Sequence, residues 1–238
     1  MKGTKASRYI KYAIGEIILV VIGILIALQL NNYNESLKRK DAEIASLKEL
    51  QSGLRISKQN LETLLSHNER WQGYNLKILD YISNERPYDE SLDICFGTYF
   101  WTGKANLTTS AYTQLKNDGL DLISNEELRK KIILIFEDRF AQIKNEHEVW
   151  DAAFLSETIF PTHVKLFRKY YPEEYMPFSD EYAKPWDYDS LLDNKVFESI
   201  IAENISLRRY NMLFKESLIT EIDSLDNLIG QEIGRLEN

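Results

Sequence analysis

Residues 13–30 read AIGEIILVVIGILIALQL, and this stretch decides the fold. Only Glu16 and Gln29 interrupt the apolar run. With Tyr12 in front, a helix over 12–30 at about 1.5 Å per residue reaches roughly 28 Å, the hydrocarbon thickness of a bilayer. A cleaved signal peptide would have a shorter apolar core followed by a small-x-small site. Gln29, Leu30, Asn31 and Asn32 offer no such site. The expectation is an uncleaved signal-anchor, a transmembrane helix over 12–30 with the lipid bilayer as its first partner.

Orientation follows from the flanks. Residues 1–11 contain Lys2, Lys5, Arg8 and Lys11 and no acid, while the segment after the span reads NNYNES before Lys38. The positive-inside rule then places the basic N-terminus in the cytoplasm and residues 31–238 outside. Lys38, Arg39 and Lys40 count in the opposite direction. Beyond residue 11 the chain holds 25 bases against 37 acids. So acidic an exterior excludes nucleic acid as a partner, because a basic surface supplies most of that affinity.

Glu16 breaks the rule of the span, since a carboxylate in hydrocarbon costs several kcal/mol unless it is neutral, paired or near the interface. At about 100° per residue, Gly23, Ala27 and Asn34 fall within roughly 20° of it. Gly23-x-x-x-Ala27 is a small-x-x-x-small pair that admits another helix closely. Glu16, Gly23 and Ala27 are therefore candidates for a helix-packing face, toward a second copy or another membrane protein. The competing reading has Glu16, one turn inside the span, reaching the headgroups.

The string from Tyr12 to Glu35 resembles the opening of a family of single-span membrane proteins of unknown function from Gram-negative bacteria. Its signature is YAIGEI…GILIALQ-x-NN-x-N-E, with Tyr33 where that family often has Trp. A second block, Leu107 to Tyr112 and on through Leu115, Gly119 and Leu120 to Asn125, is similar to the same family. The resemblance implies an inner-membrane anchor and a bacterial source; with the flank reading, the helical domain is then expected in the periplasm. It implies no activity and gives Glu16 no role.

The exterior reads as all-α. Gly (10) and Pro (5) are sparse, which favours long helices. Ile44, Leu47, Leu54, Leu61 and Leu65 mark a helix from 36 to about 85, with Gln51, Lys58 and Asn68 interrupting a strict heptad. Pro87 ends it. The aromatic run from Phe96 to Trp101 reads as an irregular loop or a short strand-like segment. A short helix is expected from Thr109 or Ser110 to Asn117, stopped at Asp118-Gly119. Another begins at Ser124 or Asn125 and carries the stripe Phe136, Phe140, Ile143, His147, Trp150 and Phe154. The last runs from about Asn194 to Leu236, roughly 60 Å, and needs a long antiparallel partner, for which the 36–85 helix is the choice.

Residues 159–190 form an aromatic, proline-rich insertion holding four of the five prolines. Tyr171, Tyr175, Phe178, Tyr182 and Trp186 are candidates for a partner surface. The alternative is a long connection that pins itself to the bundle with its rings.

Chemistry is sparse. The single cysteine, Cys95, permits no intramolecular disulfide and lies between Ile94 and Phe96, as a buried small residue would. His147 lacks ligand spacing to His67 or His163, and Glu146 and Glu148 do not share its helical face. No nucleophile–base pair, phosphate loop or paired-His motif is present. The sequence therefore predicts a non-enzymatic, cofactor-free interaction or scaffold subunit that oligomerises or joins an envelope complex. The alternative is a sensory or ligand-binding bundle that acts through a partner.

Overall fold

One helix, α1 (Thr4–Ser83), carries the apolar run straight into the helical domain. The computed structural model describes residues 4–172 and 181–238, with the side chains of 4–12 and 146–148 outside that description. The sequence suggests a span and a separate bundle helix, but the two are continuous. Nothing between Leu30 and Ser36 breaks a helix, and the polar junction is held locally. Ser36 Oγ donates to the Tyr33 carbonyl at 2.7 Å, and Lys38 pairs with Glu35 at 3.2 Å. α1 stops where Glu85 takes a left-handed φ of 47° and the Arg86 amide reaches back to the Tyr81 carbonyl at 3.0 Å. That is a Schellman-type end, and Pro87 follows it.

The last helix, α9 (Lys195–Glu237), starts on Asn194, whose side chain accepts from the Phe197 amide. It runs antiparallel to α1: Ser83 contacts Glu198, Asn75 contacts Asn204, Lys58 contacts Asp223 and Lys48 contacts Glu237. Its C-terminus thus returns to the span side of the domain. Two cores fill the space around this pair. Leu47, Leu50, Leu54 and Leu61 pack with Leu115, Ile132 and Ile222 nearer the span. Ile78, Phe96, Tyr99, Phe167 and Phe197 form the other at the far end.

Shorter elements wrap the long pair. α2 (Asp93–Thr98) is a buried helix, so the Phe96–Trp101 run is helical through Thr98 and only Tyr99, Phe100 and Trp101 form the irregular segment expected of it. α3 (Ser110–Asp118) ends at Gly119, at φ 107°. Residues 126–166 then run as one helix of alternating α and π turns. Its α parts are α4 (Glu126–Ile133), α5 (Phe140–Gln142), α6 (Glu148–Phe154) and α7 (Phe160–Leu166). Phe136, Phe140 and Ile143 of the expected stripe are buried. Beyond them the wider π turn at Ile143–His147 makes the helix lag in phase, and Trp150 emerges 69% exposed.

An antiparallel hairpin, β1 (Phe167–Tyr170) and β2 (Tyr182–Pro185), follows, with Phe167 opposite Pro185 and Tyr170 opposite Tyr182. α8 (Tyr188–Leu192) leads into α9. The architecture is all-α with this one small sheet.

Candidate functional site

The span face comes first. Residues 13–30 are exposed throughout, and α1 is long and apolar enough to cross a membrane. Glu16, Gly23 and Ala27 meet no other part of the described chain. Apart from the helix's own neighbouring backbone, no described atom lies within 4 Å of the place a Cβ on Gly23 would occupy. The small-residue approach read from the sequence is open along this helix.

A second set of polar residues lies between the two cores, unforeseen as a unit. The buried apolar stripe of α9 is interrupted between Ile201 and Leu218, and Asn204, Arg208, Asn211 and Lys215 occupy the interior positions there, all buried. They meet Asn68 and Asn75 of α1, also buried. Arg208 donates to Asn68 Oδ1 at 2.9 Å, to the Trp101 carbonyl at 2.9 Å and to the Tyr99 carbonyl at 3.2 Å. Its guanidinium also sits 5.5 Å from the Trp71 ring. Asn75 and Asn204 donate to the same Tyr99 carbonyl at 2.9 and 3.0 Å. These carbonyls follow directly on α2, where helix acceptors have run out of amide donors. The belt satisfies that buried helix end with one charge and two amides, and Asn68 accepts from the charge. Burial pushes the Arg208 guanidinium down to about 10, which leaves it charged at neutral pH. The gap in the stripe, and Asn68 where the heptad fails, were the signals available in sequence.

Asp93 is the centre of a third cluster. Its buried carboxylate accepts from Tyr88 Oη and, at 2.6 Å, from Tyr170 Oη, with Lys184 Nζ at 3.4 Å. Burial, reinforced by the hydrogen bond to Asp93, raises both phenols above the usual tyrosine range. The cluster ties the hairpin to the start of α2. Gly97 brings the two closer still: a Cβ there would lie 2.1 Å from the Glu181 carbonyl oxygen. Thr98 Oγ1 exchanges hydrogen bonds with the Glu181 backbone at 3.1 and 3.2 Å.

His163, passed over in favour of His147, is the histidine buried in the aromatic core. Its ring lies 4.8 Å from Phe100, 5.1 Å from Phe167 and 5.8 Å from Tyr99. Among the described residues, neither ring nitrogen has a hydrogen-bond partner, nor does the Tyr99 hydroxyl. Burial, with Lys169 adding repulsion, pulls His163 down to about 4. The His147 side chain lies outside the described residues. Among the described residues, no group of three or more His, Cys, Asp or Glu could hold a metal ion. Cys95 is buried, and burial pushes its thiol up to about 11, away from thiolate chemistry.

The candidate partner surface divides. Tyr171 and Trp186 are each 64% exposed, and the Trp186 ring lies 5.9 Å from the Arg168 guanidinium. Tyr182 is only partly exposed, with its ring against Tyr170 at 5.8 Å. Tyr175 and Phe178 lie outside the described residues.

With the geometry in place, comparison with known proteins places the chain in a family. The model of a family of unknown function, DUF6090, covers residues 16–154, and the chain belongs to that family. The match takes in the span from Glu16, the rest of α1, and the elements through α6; the hairpin and α9 lie beyond it. No curated protein and no solved structure matches the chain.

Proposed function

We propose that this chain is a membrane-anchored, non-enzymatic interaction subunit, single-pass in a bacterial inner membrane, with its helical domain in the periplasm. The carrying observation is the continuity of α1. The same helix holds an apolar segment of bilayer length and the core leucines Leu47, Leu50, Leu54 and Leu61. A hinge-free helix transmits position between membrane and domain, which suits a subunit that orders partners. Three grooves lined by described residues measure about 280, 290 and 210 Å³, at or below the lower limit for small-molecule pockets. The basic residues 1–11 and the Lys-poor NNYNES segment support an N-terminus in the cytoplasm.

Crosslinking of native membranes followed by mass spectrometry tests the role. The expected result is reproducible crosslinks from α1 or the hairpin to a membrane protein, this chain included. A thermal-shift screen that finds a small molecule stabilising the purified chain, with no protein neighbours in the membrane, would replace this reading with the sensory one.

A further inference from the structure

The face of α1 turned away from the bundle continues the span face upward with no break in the helix. Counting about 100° per residue from Glu16, the positions Asn34, Ala45 and Ser52 return to within about 20°, as Gly23 and Ala27 do. Burial fixes the phase independently. Glu43, Leu50, Leu54 and Leu61, about half a turn away on the same count, are all buried. Asp41, Ala45, Ser52 and Ile56 are exposed. Where α3 shoulders α1, grooves of about 290 and 210 Å³ run beside this face, with Ala45, Ser52 and Ile56 in their walls.

Building on the reading of the chain as an assembling subunit, we infer that a second copy of the chain occupies this face, packed parallel along α1 from Glu16 to Ile56. The membrane supplies the first argument for a copy. Two chains anchored by the same span lie parallel and at equal depth, so Glu16 meets Glu16. A carboxyl with no hydrogen bond among the described residues gains a partner of its own kind there, since two protonated carboxyls, or one sharing its proton, can hydrogen-bond away from water.

Charge supplies the second argument. Lys38 and Glu49 flank the seam on one side, about 40° and 60° from Glu16, Lys48 flanks it on the other, about 40° away, and Asp41, about 20° away on that same side, lies within the seam. A two-fold axis parallel to α1 therefore sets Lys38 beside Asp41 of the copy and Glu49 beside Lys48 of the copy. Length supplies the third. From Glu16 to Ile56 the face extends about 60 Å, and a strip about 10 Å wide buries roughly 1,200 Å² over both copies, the lower bound for a specific interface.

The test uses the full-length chain in its own membranes, with Ala45→Cys and Ser52→Cys made singly and a mild oxidant added. A disulfide needs Cβ atoms within about 4.5 Å, so only a seam position forms it efficiently. Cys95 is buried and does not compete. Covalent dimer should form at least about tenfold faster at both positions than at the exposed control Asp189→Cys, and Gly23→Leu should reduce it several-fold. No dimer, or equal rates at all three positions, overturns the inference. Crosslinks from 45 and 52 to a different polypeptide also overturn the second copy, yet leave the interaction role standing. Absence of any protein neighbour in the native-membrane experiment removes both.

Discussion

His163 makes the stability of the domain sensitive to acid. Its folded value of about 4 lies below the ordinary histidine value of about 6.5, so the fold holds the neutral ring. Protonation then favours the unfolded chain. The contribution is intact above pH 6.5 and is lost progressively as pH falls toward 4, by about 2 kcal/mol at pH 5 and about 3 kcal/mol below pH 4. His163→Phe puts an apolar ring among Phe100, Phe167 and Tyr99 and should remove this share of the pH dependence. Melting temperatures of both proteins in detergent at pH 7.5 and 5.0 measure it, and an equal drop in the two would refute the assignment. Arg208 is the opposite case, a buried charge that several acceptors require. Arg208→Ala leaves Asn68 Oδ1 and the Trp101 carbonyl without their guanidinium donors. With the cavity added, the loss should be about 3 kcal/mol or more in denaturant melts.

At the scale of elements, the long helices and the nine-residue α3 could be read from sequence, whereas α2 could not. Leu47, Leu54 and Leu61 repeat at a helical period, and the start of α9 follows from Asn194 as a cap, because these signals are local. α2 was hidden because a six-residue helix buried on all sides shows no amphipathic period; Phe96, Gly97 and Tyr99 look like loop punctuation until the hairpin packs on them. The π turns were hidden for a related reason, since a stripe read at constant period carries Trp150 inward when the helix has already slipped out of phase. The polar belt left a gap but no identity, because its partners lie more than a hundred residues apart. Gly97 shows what such a contact demands. Gly97→Ala forces a methyl into the Glu181 carbonyl and should displace the hairpin while leaving the α1–α9 pair intact. Hydrogen exchange should then speed up in β1 and β2 by at least about tenfold, equivalent to 1.4 kcal/mol of local opening, with α9 amides unchanged. Unaltered protection of the hairpin would mean that α2 and β2 are less tightly docked than the backbone contact implies.

For the whole molecule, the decisive property is that span and domain share one helix, so their faces are locked in rotation. Local sequence reading divided α1 at the membrane surface because hydropathy changes there, although backbone propensity does not. The span face remained legible in Glu16, Gly23 and Ala27, but its continuation through Ala45 and Ser52 needed the structure, which alone shows which side α9 leaves free. This rigid phase gives a prediction that no single substitution can test. Two alanines inserted after Asn32 lengthen the stalk by about 3 Å and rotate the domain by about 200° relative to the span. Seven residues inserted at the same place lengthen it by about 10 Å but rotate it by only about 20°. If the parallel seam is continuous, the two-residue insertion should abolish most of the dimer crosslinking at Ser52→Cys, whereas the seven-residue insertion should retain it despite the greater change in height. Equal loss with both insertions would mean that distance from the bilayer, not helical phase, governs assembly. Equal retention would mean that the domain associates without regard to the span, and Glu16 would then have to be explained by the membrane alone.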